Sequence, residues 1–132
     1  MASIGIAFND SLAVNHNVVI TDFTGQDFPR QYANNASFEY SANGSHVLGG
    51  PAYRQKYIWT IAAVIPTADA LALDALFVAW DTDRAAGKPV ACGITDETFG
   101  ASVTTNAVFS TSPSYTYMGG NLTLVAFGMS EV

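Results

Sequence analysis

Polar and apolar positions alternate with a period of two over most of this chain, and one segment breaks that rhythm. Ser3–Phe8 and Leu12–Ile20 read as two strands joined by an Asn9-Asp10-Ser11 turn. In the second of them Leu12, Val14, Val18 and Ile20 share a face, with Asn15 and Asn17 opposite. Lys56–Ile65 sets Tyr57, Trp59, Ile61, Ala63 and Ile65 on one side and Ile58, Thr60, Ala62 and Val64 on the other. Apolar cover on both faces predicts a central strand. Pro66 ends it, and apolar residues then recur at helical spacing. Leu73, Leu76, Phe77 and Trp80 define the buried face of a helix over Thr67–Ala86, with Asp74, Asp81 and Arg84 towards solvent. Thr67 is the expected N-cap and Asp69 suits the positive end of the helix dipole. Gly87 and Pro89 supply the stop.

Beyond the helix, strands are predicted over Val90–Thr95, Ala101–Ser110, Tyr115–Met118 and Leu122–Met129. Turns fall at Asp96–Gly100, Ser112-Pro113-Ser114 and Gly119-Gly120-Asn121. The stretch Thr21–Gln55 is irregular, rich in turn-formers and aromatics. Asn43-Gly44, between Ser37–Tyr40 and His46–Leu48, marks one hairpin within it, because both turn residues must accept positive φ. About eight strands and one helix predict a mainly β domain, a β-sandwich or flattened barrel flanked by a long helix. At 132 residues the chain, 1–132, is expected to be a single domain with a core of its own.

Charge narrows the functional classes. Only 12% of residues are charged, against roughly 25% in ordinary soluble domains, while hydrophobic residues make up 49%. So little charge predicts burial of surface against partner subunits. The net charge is −6, and the five basic residues are Arg30, Arg54, Lys56, Arg84 and Lys88. That is too few to neutralise a run of phosphates, so neither nucleic acid nor an anionic membrane is an expected partner. No apolar run approaches the roughly 18 residues of a membrane span. The N-terminus lacks the basic and apolar regions of a secretory signal, and the single Cys92 lies in an apolar strand; both predict synthesis in a reducing cytoplasm.

Candidate chemistry is sparse. His16 and His46 have no neighbours that suggest a triad, and Cys92 reads as interior. Asp81, Asp83, Asp96 and Glu97 could converge on a cation such as calcium, but two of them sit on a helix and not in an ion-wrapping loop. The plainer reading is a solvated helix charge plus a turn acid. No catalytic residue, cofactor or metal is therefore assigned, and the expectation is a non-enzyme. Phe28, Arg30, Tyr32, Tyr53 and Arg54 combine aromatics with Arg, the composition of a protein interface. Tyr32, Tyr40 and Tyr53 with Asn34, Asn35 and Asn43 would also serve a sugar site, which keeps a carbohydrate- or receptor-binding module as the alternative. Trp59 and Trp80 lie on apolar faces and read as core.

The segments Tyr53–Ile61, Leu71–Ala85, Ala91–Asp96 and Leu122–Val132 carry a resemblance over roughly the last 80 residues. Their order of strand, single helix and strand, closing on a strand with a Glu-Val tail, resembles small tail-tip and distal-tail proteins of tailed bacteriophages. The resemblance implies the tail-tube-like β-sandwich with a flanking helix. It implies a virion protein that forms a homo-oligomeric ring near the tail tip or baseplate. Copies of itself and neighbouring tail proteins (tube, hub or fibres) would be its partners. A tube subunit of that family has a long hairpin that stacks onto the next ring, for which Thr21–Gln55 is no more than a candidate, and the family supplies no catalytic residues.

Overall fold

The computed structural model describes residues 3–21, 30–32, 37–49, 55–98 and 102–132. Along these, the elements run β1 (Ser3–Asn9), β2 (Asn15–Thr21), β3 (Arg30–Tyr32), β4 (Ser37–Tyr40), β5 (His46–Gly49), β6 (Tyr57–Pro66), α1 (Thr67–Ala85), β7 (Cys92–Asp96), β8 (Val103–Gly119) and β9 (Leu122–Glu131). Seven strands form one antiparallel sheet in the order β2-β1-β7-β8-β9-β6-β3. β4 and β5 pair separately as the expected hairpin around Asn43-Gly44. Of these two only Gly44 takes positive φ, however, so the turn is not the two-residue type in which both do. Gly44 sits at φ +85°, and Asn43 Oδ1 accepts hydrogen bonds from the Ser45 N–H and the Ser41 hydroxyl. The mainly β, one-helix class is thus the observed one.

Alternation assigns the sheet its inner face. Ile4, Ile6 and Phe8 of β1, Val18 and Ile20 of β2, Trp59, Ile61, Ala63 and Ile65 of β6, Cys92 and Ile94 of β7, and Val125, Phe127 and Met129 of β9 are all buried. The sheet is strongly curled about this face. β7 and β3 are four strand positions apart, about 19 Å in a flat sheet. Yet Arg30 Nη1 of β3 lies 3.3 Å from Asp96 Oδ2 of β7. Such closure is what a flattened barrel requires, and it gives a short, wide sheet an interior.

α1 fills one end of that interior. Ala70, Leu73, Leu76 and Trp80 are buried on the sheet. Phe77 and Trp80 meet Phe109 edge-on, with ring centroids 5.2 Å apart, and Phe109 in turn contacts Phe127. Aromatic pairs in this geometry add to the burial of their area. The Trp80 indole N–H donates to the Val90 carbonyl at 2.7 Å, fixing the helix to the segment that enters β7. The helix ends as expected, with Gly87 at φ +74°. Its start differs. The N-cap is Pro66, and Thr67 makes no side-chain cap; its N–H donates to the Asn121 carbonyl and its hydroxyl pairs with Thr123. A carbonyl from the β8–β9 turn satisfies the first helical N–H, so a local cap is unnecessary.

β3 lies in the stretch expected to be irregular, several strand ends shift by one or two residues, and two boundaries depart further. Leu12 and Val14 precede β2 in a tight, exposed turn and do not join Val18 and Ile20 on the buried face. Asp10 holds that turn by accepting hydrogen bonds from the Leu12 and Val14 N–H groups, both at 2.9 Å. β8 does not stop at Ser112-Pro113-Ser114; it continues through it with register shifts at Phe109/Thr111 and Thr111/Ser114. β7 has already ended by then, so Pro113 lies on an edge where a missing N–H costs no ladder bond. The bulged segment presses on β9 at Gly128. A Cβ there would sit 3.0 Å from Ser110 Oγ and 3.1 Å from Thr111 Oγ1, tight enough that these side chains would have to shift, so the position favours glycine.

Candidate interaction surface

Among the described residues, most exposed apolar side chains gather in three places. The first is the β1–β2 turn and the outer face of β2, where Leu12 is 82% exposed and Val19 56%. β2 is an edge strand of the sheet, seven residues long, without proline, lysine or bulge. Natural edges are usually blunted by one of those devices or covered by a helix. Here α1 packs on β2 more than on any other strand, and Val19 on its outer face stays open. The second is a groove of about 390 Å³ between the N-terminal half of α1 and the β8–β9 ribbon. Leu71, Tyr115, Tyr117 and Asp74 line it, and Leu71 and Tyr117 are each about two-thirds exposed. Burial, then the charge and hydrogen bonding of Asp74, push the Tyr115 hydroxyl well above its usual pKa. The third is β3, where the exposed Tyr32 ring lies 4.9 Å from that of Tyr57.

Of the interface residues suggested by the sequence, Phe28, Tyr53 and Arg54 lie outside the described residues. Tyr32 is exposed over Tyr57, on the same face of β3 as Arg30. Arg30 reaches into the interior, where Asp96 lies on the inner face across the curl. Asp96 is fully buried at the last position of β7, where a turn acid was expected. Its Oδ2 accepts the Trp59 indole N–H at 2.9 Å, and Oδ1 accepts the Thr98 N–H at 2.9 Å and the Thr98 hydroxyl. Burial raises the carboxyl's pKa, but the Thr98 and Trp59 hydrogen bonds and the Arg30 charge together hold it below the ordinary value of 3.8. Beside it Glu131 accepts from the Tyr57 N–H at 3.0 Å and the Thr105 hydroxyl at 3.1 Å. This polar cluster lies at the end of the interior opposite α1, and it joins β3, β6, β7, β8 and β9.

The remaining acids serve the fold. Asp83 is buried and clamps the β1–β2 turn, accepting the Ser11 N–H at 2.9 Å and the Ser11 hydroxyl at 2.8 Å. The solvated charge expected at this position is therefore a buried one, while Asp81 pairs at the surface with Arg84 at 2.7 Å. Asp83 and Asp96 do not converge. The helix end lies against Val90, and Asp96 is a further six residues along an extended chain, about 20 Å. Among the described residues no three His, Cys, Asp or Glu side chains gather as metal ligands. His16 Nε2 pairs with Asp10 Oδ2 at 3.0 Å, a contact that braces the turn. The Asp10 carboxyl is held below its ordinary pKa by the Val14 N–H first and by His16 next. Cys92 is buried, and desolvation pushes its thiol up to about 12, far from a nucleophile. The side chain of His46 falls outside what the structure describes.

No helix among the described residues is long and apolar enough to cross a membrane. No known family model matches the chain, and no curated protein matches it in sequence.

Proposed function

We propose that this chain is a structural subunit of a phage tail, assembling as a ring near the tail tip or baseplate and linking tube, hub or fibres. It works through contact and not through catalysis. The observation that carries this reading is the β2 edge: a strand without Lys, Arg, Asp, Glu, proline or bulge, beside an exposed Leu12 and with Val19 open on its outer face. On a surface with so few charges, such an edge gains hydrogen bonds and buried area when a neighbour covers it. Gold-labelled antibodies against the chain should decorate one end of the tail in tailed particles that contain it. Labelling confined to the capsid, or to no particle at all, would end the tail assignment.

A second reading follows from Tyr32, whose exposed ring over Tyr57 is a surface on which a sugar ring could stack. Binding on a glycan array that disappears in Tyr32→Ala supports it; an array without signal removes it.

A further inference from the structure

The two ends of α1 carry complementary chemistry. At its C-terminal end the β1–β2 turn projects Leu12, the most exposed large apolar side chain among the described residues, next to Lys88. The acids of that end are engaged locally. Asp10 holds its own turn and His16, Asp83 holds Ser11, and Asp81 holds Arg84. What the tip offers outward is a leucine and an ammonium. At the N-terminal end the groove offers the reverse: an apolar wall of Leu71 and the Tyr115 and Tyr117 rings, with the exposed Asp74 carboxylate beside them. The groove lies against residues 67–74 of α1 and the tip beside residues 79–83, about a dozen helical residues or about 18 Å apart. A single copy cannot fill its own groove with its own tip.

We infer that the Leu12–Lys88 tip of one copy docks into the Leu71–Asp74–Tyr115–Tyr117 groove of the next. The leucine enters the apolar wall, and the ammonium lies against Asp74 and the tyrosine faces, where carboxylate and ring quadrupole both attract it. Made reciprocally between two copies, the contact closes a two-fold dimer. Repeated head-to-tail, it closes into a ring or runs on as a filament, the form that the assembly reading requires, and growth of the parent chain beyond a dimer separates the two. The groove is open and stands apart from the buried core, so no unfolding is required to fill it. The inference rests on the assembly reading above and gives it a specific contact.

Blocking variants test it. Leu12→Glu removes the tip and Tyr117→Glu blocks the groove, and both sites are exposed enough that circular dichroism melts should match the parent chain. In sedimentation velocity the parent chain self-associates with increasing concentration, and raising the salt weakens it. Each variant alone should lose association roughly thirtyfold, as for a hot-spot residue. An equimolar mixture of the two keeps one good tip and one good groove, so it should form a dimer that grows no further. If the parent associates but the mixture grows on, or neither variant loses association, the tip-in-groove contact is wrong while the assembly reading stands. If the parent stays monomeric at every concentration, both fall.

Discussion

Asp96→Ala measures how much the curl of the sheet depends on its buried ion pair. The carboxylate is fully buried and receives the Trp59 indole, both Thr98 donors and the Arg30 guanidinium. Truncation leaves a nearly buried guanidinium (11% side-chain exposure) facing no anion at that position, and strands the indole N–H. Removing one partner of a buried pair costs about 3–5 kcal/mol, because the other charge remains desolvated. Asp96→Asn keeps the shape and one carbonyl acceptor but loses the charge, so about 1.5–3 kcal/mol is expected, the range for hydrogen bonds to charged groups. Urea unfolding followed by tryptophan fluorescence reads both, with Trp59 reporting on the cluster directly. Ala should lower stability more than Asn, at an unchanged denaturant slope.

The acid also sets a pH dependence. Its folded pKa lies below the unfolded value near 3.8, so its contribution is full above that value and is lost as pH falls through the folded pKa. The gap between the parent chain and Asp96→Asn should therefore be constant around neutrality and shrink in acid below that window. A loss under about 1 kcal/mol for Asp96→Ala would place the cost within that of an ordinary surface change and refute the reasoning.

Other consequences are as direct. Asp83→Ala removes both acceptors of Ser11, should cost about 1–3 kcal/mol, and should speed amide exchange at Ser11. Gly128→Ala forces a Cβ to within 3.2 Å of Thr111 Cβ and of two hydroxyl oxygens. Overpacking of this kind costs about 1–3 kcal/mol in a denaturant melt. Cys92 should react with a thiol reagent at mildly alkaline pH only after unfolding, since its folded pKa is pushed up to about 12; rapid labelling of the native chain would contradict its burial.

The helix was legible because its signals are local: Leu73, Leu76 and Trp80 at helical spacing, with Pro66 before and Gly87 after. Its true N-terminal cap was not, because Asn121 is distant in sequence. β2 was drawn too long because alternation reads Leu12 and Val14 as a buried face, and only the Asp10 turn shows that they leave the sheet. The buried acids defied the expectation that charge lies outside. A signal for them existed in parity. Asp96 shares the face of Cys92 and Ile94, Glu131 that of Phe127 and Met129, and Asp83 follows Leu76 and Trp80 around the helix. What no periodicity could disclose was that the sheet curls enough for Arg30 to reach Asp96, and so the inward turn of an arginine assigned to the surface.

A density map of this chain in its assembled particle tests the central claim most directly. The account predicts copies arranged around an axis, with the β2 edge and Leu12 covered by neighbouring chains. One isolated copy, with that strand and that leucine open to solvent, would contradict it.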